Sequence, residues 1–151
     1  MSVPEALSAD ELLAFLRAHR IAVEATVSDR GAPQAAVVGY GVSDQLEIVF
    51  DTLSSTRKLQ NLKANERIAL VIGWDDARTV QIDGVADLPT GDDLERIRAV
   101  YFDAYPDGRE RLAWPGLVHV RVRPRWARLS DFTKDPPRIA ERTIEHAERA
   151  S

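Results

Sequence analysis

The spacing of apolar residues changes several times along the chain, and each change marks an element. Leu12, Leu13, Phe15 and Leu16 form a helical stripe, and Ser8 stands three residues before Glu11, the spacing of a capping box. A helix is predicted from Ser8 to about His19. From Ile21 the period drops to two: Ile21, Val23, Ala25 and Val27 alternate with Ala22, Glu24 and Thr26, as in a half-buried strand. Turn formers at Asp29-Arg30-Gly31-Ala32-Pro33 lead to a second strand, Gln34 to Gly41. Its Gly39 and Gly41 leave room for a flat ligand or another backbone. Ser43-Asp44 turns the chain into a third strand, Leu46 to Thr52. Connections this short predict that the three strands form a meander.

A short helix then carries Leu59 and Leu62 on one face. Arg67 to Trp74 and Arg78 to Leu88 read as a hairpin about Asp75-Asp76. Val80, Ile82 and Val85 are expected toward the core, Thr79 and Gln81 on the other side, and Gly84 at a bulge. Thr90-Gly91-Asp92-Asp93 starts a helix with acids in its first turn and Leu94, Ile97, Val100 and Tyr101 on its apolar face; Tyr105-Pro106-Asp107-Gly108 ends it. Gly116 to Phe132 is the last strand region, bent or brought to an edge at Pro124. Pro136-Pro137 separates it from a charged terminal helix, Ile139 to Ala150. Six strands, short connections and two or three helices predict a mainly β (α+β) fold, a six-stranded antiparallel barrel with flanking helices. Strands alternating with crossover helices are not seen, which argues against a Rossmann sheet.

Composition narrows the classes of function. A chain of 151 residues without repeat, linker or low-complexity segment is expected to form one domain over 1–151. A net charge of −4 and a pI of about 5.4 argue against a general binder of nucleic acid or anionic membrane. There are no cysteines, hence no disulfides, thiolate chemistry or cysteine metal sites. The N-terminus has no signal-peptide pattern, and no apolar run approaches the roughly 20 residues that span a bilayer. A soluble cytoplasmic protein is expected. His19, His119 and His146 share no spacing that reads as a metal site, so no metal is predicted. Serine-nucleophile, Walker-type and glycine-fingerprint motifs are missing, and no acid or base stands out as catalytic.

The stretch with most chemistry is Asp51 to Asn65. An apolar strand delivers the chain to the hydroxyls of Thr52, Ser54, Ser55 and Thr56, then to Arg57 and Lys58 at the first turn of a helix. Unpaired N–H groups and the positive end of the helix dipole gather there. Arginine offers a fork and lysine a point charge, so the cluster can seat a phosphate monoester. A solvated basic helix start capped by Ser54 or Ser55 would look the same.

The run from Phe50 to Leu70 resembles the signature of the pyridoxamine 5′-phosphate oxidase-like, FMN-binding split-barrel family. That signature is an aromatic strand, a Thr, Ser/Thr-Arg-Lys, Asn-Leu, then Asn/Asp-x-Arg and an apolar strand. Here these are Phe50, Thr52, Thr56-Arg57-Lys58, Asn61-Leu62 and Asn65-Glu66-Arg67. The order of elements matches over about residues 8 to 132. The resemblance implies a split barrel and an FMN lying between the two subunits of a homodimer. It implies Thr52, Thr56, Arg57 and Lys58 at the phosphate and ribityl chain, and the backbone of Val37, Val38 and Gly39 along the isoalloxazine ring. Thr79 and Gln81 fall near the position where family members place a glutamine against the flavin. Trp74, Trp114 and Trp126 are candidates for stacking on the ring or lining the dimer seam, Trp126 foremost.

The departures carry information too. True pyridoxamine-phosphate oxidases have basic residues on the second strand and an Arg-x-His pair near the C-terminus. Here Gln34 to Gly41 has no basic residue, and Arg128-Leu129-Ser130 follows Trp126. The pattern points to a flavin oxidoreductase of another small-molecule substrate rather than to vitamin B6 oxidation. Two alternatives stay open: a deazaflavin-dependent reductase on the same fold, and a flavin- or haem-binding carrier without turnover, for which His119 is a faint candidate ligand.

Overall fold

In the computed structural model, which describes residues 3–145, the chain opens with a two-residue strand, β1 (Glu5–Ala6), and helix α1 (Ala9–Ala18). Ser8 caps α1, its Oγ accepting the Glu11 N–H at 3.0 Å. The return half of the capping box is replaced: the Glu11 carboxylate accepts Arg138 Nη1 and Nη2 at 2.8 and 3.0 Å. Then come β2 (Ile21–Val27), β3 (Pro33–Gly39), β4 (Gly41–Val42), β5 (Ile48–Leu53), α2 (Arg57–Ala64), β6 (Arg67–Ile72) and β7 (Arg78–Asp87). Helix α3 (Gly91–Ala104), a 3-10 turn (Pro106–Ala113), β8 (Leu117–Asp131) and β9 (Arg138–Thr143) complete the described chain.

The fold is mainly β with flanking helices, as expected, in one mixed sheet. Nine strands are described, three more than the six predicted. The sheet runs β1-β9-β8-β7-β6-β2-β3, with β5 paired to β8 and β4 to β5. Only the β1–β9 pair among these is parallel.

The first three predicted strands do not form a meander. The second breaks at Tyr40, whose N–H bonds Arg20 O at 3.1 Å, and the fragment beyond it, β4, pairs with β5. β5 takes β8 as its long partner, Ile48 opposite Val122 through Leu53 opposite Leu117. β3 and β5 approach without a ladder, so β3 ends the sheet.

The predicted terminal helix is also corrected over its first part. Residues 138–143 form β9, residues 144–145 continue without helix, and the rest of the prediction, with His146, lies outside the described residues. The reason is the length of β8. β5 covers its first part, and the edge from Trp126 to Asp131 is taken by β9. Ala140 and Ile144 go to the core, and Arg128 pairs with Glu141.

The core is read as rows across the strands. Val38, Ala22, Ile72, Val80, Leu129 and Ala140 stand opposite one another in turn, and all are buried. β2 therefore turns Ala22, Glu24 and Thr26 inward, while Ile21, Val23, Ala25 and Val27 lie outside and less covered. On β7, Gly84 and Ala86 are inward and Val85 is not, contrary to expectation. The irregularity lies opposite Gly84: Asp83 faces Trp126 and Gly84 faces Pro124, leaving Arg125 as the extra residue of β8. It lets Val118, Val120 and Val122 and then Ala127 and Leu129 point to the same interior.

Helix α3 packs Ile97, Tyr101 and Phe102 on Val49 as a second small core. A buried ion network fastens it. Arg121, fully buried, donates to Asp87 at 2.8 and 2.6 Å, to Asp93 at 2.8 Å and to Glu47 at 3.2 Å. Arg96 forks onto Glu47 at 2.7 and 2.9 Å. Gly41 exists for this helix, because a Cβ there would sit 2.8 Å from Val100 O. A Cβ at Gly39 would meet the Tyr105 ring at 2.7 Å, so both glycines admit the α3 segment in this structure.

Candidate functional site

Strand β5 ends at Thr52-Leu53, and Thr56 is the N-cap of α2 with extended backbone and no side-chain capping bond. The alternative of a Ser54 or Ser55 cap is therefore not what the structure makes. The Thr56 hydroxyl donates to Leu53 O at 2.9 Å and lies 2.9 Å from the Thr52 hydroxyl. The first turn of α2 thus keeps its N–H groups clear of a side-chain acceptor, with Arg57 exposed and Lys58 half-buried beside them. Thr52, Thr56, Arg57 and Lys58 come together as one candidate anion seat.

Its floor was not anticipated. Glu24, Thr26, Gln34, Ala35 and Ala36 line a cleft of about 320 Å³ with Arg57 and Lys58. Asn61, buried on α2, donates to Thr26 Oγ1 at 3.0 Å and to Gln34 Oε1 at 2.6 Å, tying the helix to β2 and β3. Glu24 is 1% exposed, and its Oε2 has no hydrogen-bond partner. Burial pushes its carboxyl above the usual range, against the pull of Lys58. The sequence signal was present: an acid and a threonine alternate with valines in a strand, and the structure turns them inward.

The second part of the site is the outer face of the sheet. Val37, Val23, Val71, Gln81 and Arg128 form one cross-strand row, and Ala35, Ala25, Ala69, Asp83 and Trp126 the next. This face is apolar yet open: Val37 is 61% exposed. A shallow cleft of about 230 Å³ lies between Val23, Val71, Gln81 and Trp126. The Arg128 guanidinium stacks 5.5 Å from the Trp126 ring. Thr79 follows on β7 opposite Ser130.

β3 joins the two parts. Its start, Gln34 to Ala36, lines the anion seat, and Val37 and Gly39 continue along an edge that no ladder covers. Val38 points the other way, into the core. Ala35 to Gly39 spans about 13 Å at 3.3 Å per residue. Trp74 and Trp114 are exposed, outside both clefts.

The histidines are placed elsewhere. His119, 2% exposed, stands on β8 under α3, with the Tyr101 and Phe102 rings edge-on at 5.5 and 5.7 Å. Burial, with Arg98 3.5 Å from Nδ1, holds its pKa below the usual imidazole range. Tyr101 donates to Asp51 at 3.1 Å, and burial with the Asp51 charge pushes its phenol up to about 12. His19 donates from Nδ1 to Phe15 O at 2.9 Å and approaches Asp75 and Asp76, the ligand atoms lying within 4.8 Å of one another. Those two acids are exposed at a turn, where such groupings are common without an ion. A separate cavity of about 590 Å³ lies at the other end of α2 between Leu59, Leu62, Ala86 and Val120. Among the described residues, no helix is long and apolar enough to cross a membrane.

Comparison with known proteins adds to this geometry. The family model described as pyridoxamine 5′-phosphate oxidase matches residues 8–131. A pyridoxine/pyridoxamine 5′-phosphate oxidase of Bordetella avium is 31% identical over 123 residues, 75% of this chain and 57% of that protein. The chain thus spans little more than half the length of that relative. Among solved structures, a heme binding protein from Mycobacterium smegmatis superposes with a TM-score of 0.79 at 22% identity, over 93% of this chain and 60% of that one. A pyridoxamine 5′-phosphate oxidase-related, FMN binding protein from Nostoc punctiforme gives 0.62 at 13% identity, over 91% and 94%. At these identities the two structures show a common fold.

Proposed function

The chain belongs to the pyridoxamine 5′-phosphate oxidase family, and from that premise we propose that it is an FMN-dependent oxidoreductase of a small molecule, working as a homodimer with the flavin at the subunit interface. One observation carries this reading. A single edge strand, β3, runs from an uncapped, cationic helix start to an open apolar sheet face. A phosphate with an attached flat ring needs those two surfaces at the two ends of one path.

FMN, when bound, supplies the electron-transfer chemistry, and the protein binds and orients it. Arg57 and Lys58 would neutralise the phosphate with the N–H groups of α2, and Thr52 and Thr56 would offer hydroxyls beside it. The free backbone edge of β3 at Val37 and Gly39 would meet the alternating donors and acceptors of the ring. Gln81 and Trp126 would flank it, and a second subunit on the same face would cover the exposed valines and exclude water. The lack of a basic residue on β3, and of an Arg-x-His pair after Trp126, speaks for a substrate other than pyridoxamine phosphate.

Absorbance of the purified protein, and titration with FMN, test this reading. Flavin bands or saturable FMN uptake are expected; neither appearing would sink it. Replacing Arg57 and Lys58 together by Ala should weaken FMN at least about a hundredfold, since each charge-assisted contact contributes about 1.5–3 kcal/mol. Riboflavin, which lacks the phosphate, should be little affected. Unchanged FMN affinity would put the phosphate elsewhere.

A second reading, a haem carrier, is favoured by the fold likeness to a heme binding protein. It would require a ligand other than His119, which α3 seals. A Soret band on adding hemin, with no flavin uptake, would select it.

A further inference from the structure

Glu24 stands in a row with Ala36, Leu70, Ile82 and Ala127, all apolar, and the row ends four strands away at Arg142 on β9. A carboxylate oxygen buried without a donor costs on the order of 1–3 kcal/mol. Such groups call for an explanation. Glu24 also lines the cleft beneath Arg57 and Lys58.

The groups around it are few. α2 contributes the cations Arg57 and Lys58, and also Asn61, whose amide is occupied by Thr26 and Gln34. β3 contributes Gln34 and Ala36, β6 contributes Leu70, and β2 itself Thr26. None of these neighbouring strand residues is charged; the one charged strand residue of the row, Arg142, stands at its far end on β9. Two cations with a neutral acid match a phosphate dianion, whereas two cations with a carboxylate fall one charge short. Like charges brought together in one cleft favour protonation of one of them.

We propose that Glu24 is a proton-coupled contact of the phosphate seat: when a phosphate monoester dianion binds at Arg57 and Lys58, Glu24 takes a proton from solvent and its O–H donates to a phosphate oxygen. This rests on the seat proposed above. The sign follows from linkage. Glu24 has a higher pKa in the complex than in the free protein, so binding takes up a proton. Affinity is greatest at low pH and falls as pH rises from the free toward the bound pKa, by up to about tenfold per pH unit. Burial has already raised Glu24 in the empty cleft, which brings that window closer to neutrality.

The experiment is an FMN titration of the full chain by fluorescence from about pH 6.5 to about pH 9. That range lies above the second phosphate ionisation near 6 and below the lysine range near 10. Wild-type affinity should fall across it, while Glu24→Gln should bind with a flat profile and more tightly at the alkaline end. Riboflavin should show a flat profile with both proteins. Calorimetry of the unmutated protein in two buffers of different ionisation heat should show uptake approaching one proton, a readout that does not depend on the variant folding. Equal slopes for wild type and Glu24→Gln, or no proton uptake, or the same slope with riboflavin, would overturn the role of Glu24 and leave the seat standing. Loss of FMN binding at every pH would overturn the seat itself.

Discussion

Replacing Glu47 by Gln tests whether the buried ion network truly fastens α3 to the sheet. Glu47 is 4% exposed and accepts from both Arg96 nitrogens, from Arg121 and from Ser43 Oγ at 2.9 Å. The Arg96 fork is the main cause that holds its carboxyl at about 2 rather than the ordinary 4.5. At about 1.4 kcal/mol per pH unit, that difference is worth about 3 kcal/mol of stability at neutral pH. The sign is that of a depressed acid: the stabilisation is complete above 4.5 and disappears as pH falls toward 2. Glu47→Gln keeps the shape and removes the charge. Its urea unfolding at pH 7 should show a deficit of about 3 kcal/mol, or some 6–12 °C in Tm for a chain of this size. Repeated at falling pH, the deficit should shrink, because the wild type loses the same charge. A deficit below about 1 kcal/mol at pH 7, or one that does not change between pH 7 and 3, would refute the reasoning. The network would then resemble a solvent-screened surface cluster.

Two further outcomes are expected. Val71→Arg places a charge at the centre of the open sheet face, so the dimer proposed above should run as a monomer in analytical ultracentrifugation; an undisturbed dimer would move the interface elsewhere. His119→Phe keeps the ring contacts under α3 and removes a group whose pKa burial lowers. That group's stabilisation is present above about 6.5 and lost as pH falls. The Tm of the variant should therefore gain on wild type between about pH 7 and pH 5; parallel curves would mean His119 titrates normally.

Much of this was legible in the residues. Six of the seven strands of six residues or more, with α1 and α3, lie where hydrophobic period and turn chemistry put them. The capping role of Ser8 was readable three residues ahead, and the cationic start of α2 was plain in Thr56-Arg57-Lys58. What failed shares a cause: period gives the element but not its partner or its face. β2 alternates perfectly, yet its small and polar side is the inward one, because α2 and β3 supply polar neighbours there and the valines line the open face. The meander failed because Tyr40 breaks the second strand and β8 offers β5 a longer partner. The final strand is not legible because its two apolar residues, Ile139 and Ala140, define no period; an unpaired edge of β8 decides the matter. The floor of the candidate site was hidden for the same reason, since it joins residues of β2, β3 and α2 far apart in the chain.

The extra residue at Arg125 has a consequence for changes of chain length. β8 behaves as two segments with independent phase, joined at one slack position. Losing Arg125 would straighten the strand yet leave Val118, Val120, Val122, Ala127 and Leu129 all facing inward. Losing Val122 or Ala127 would instead turn a whole flank of the strand inside out, exposing aliphatic side chains and driving arginines into the interior. Natural variation in length within this strand should accordingly gather at a single point, beside the open sheet face.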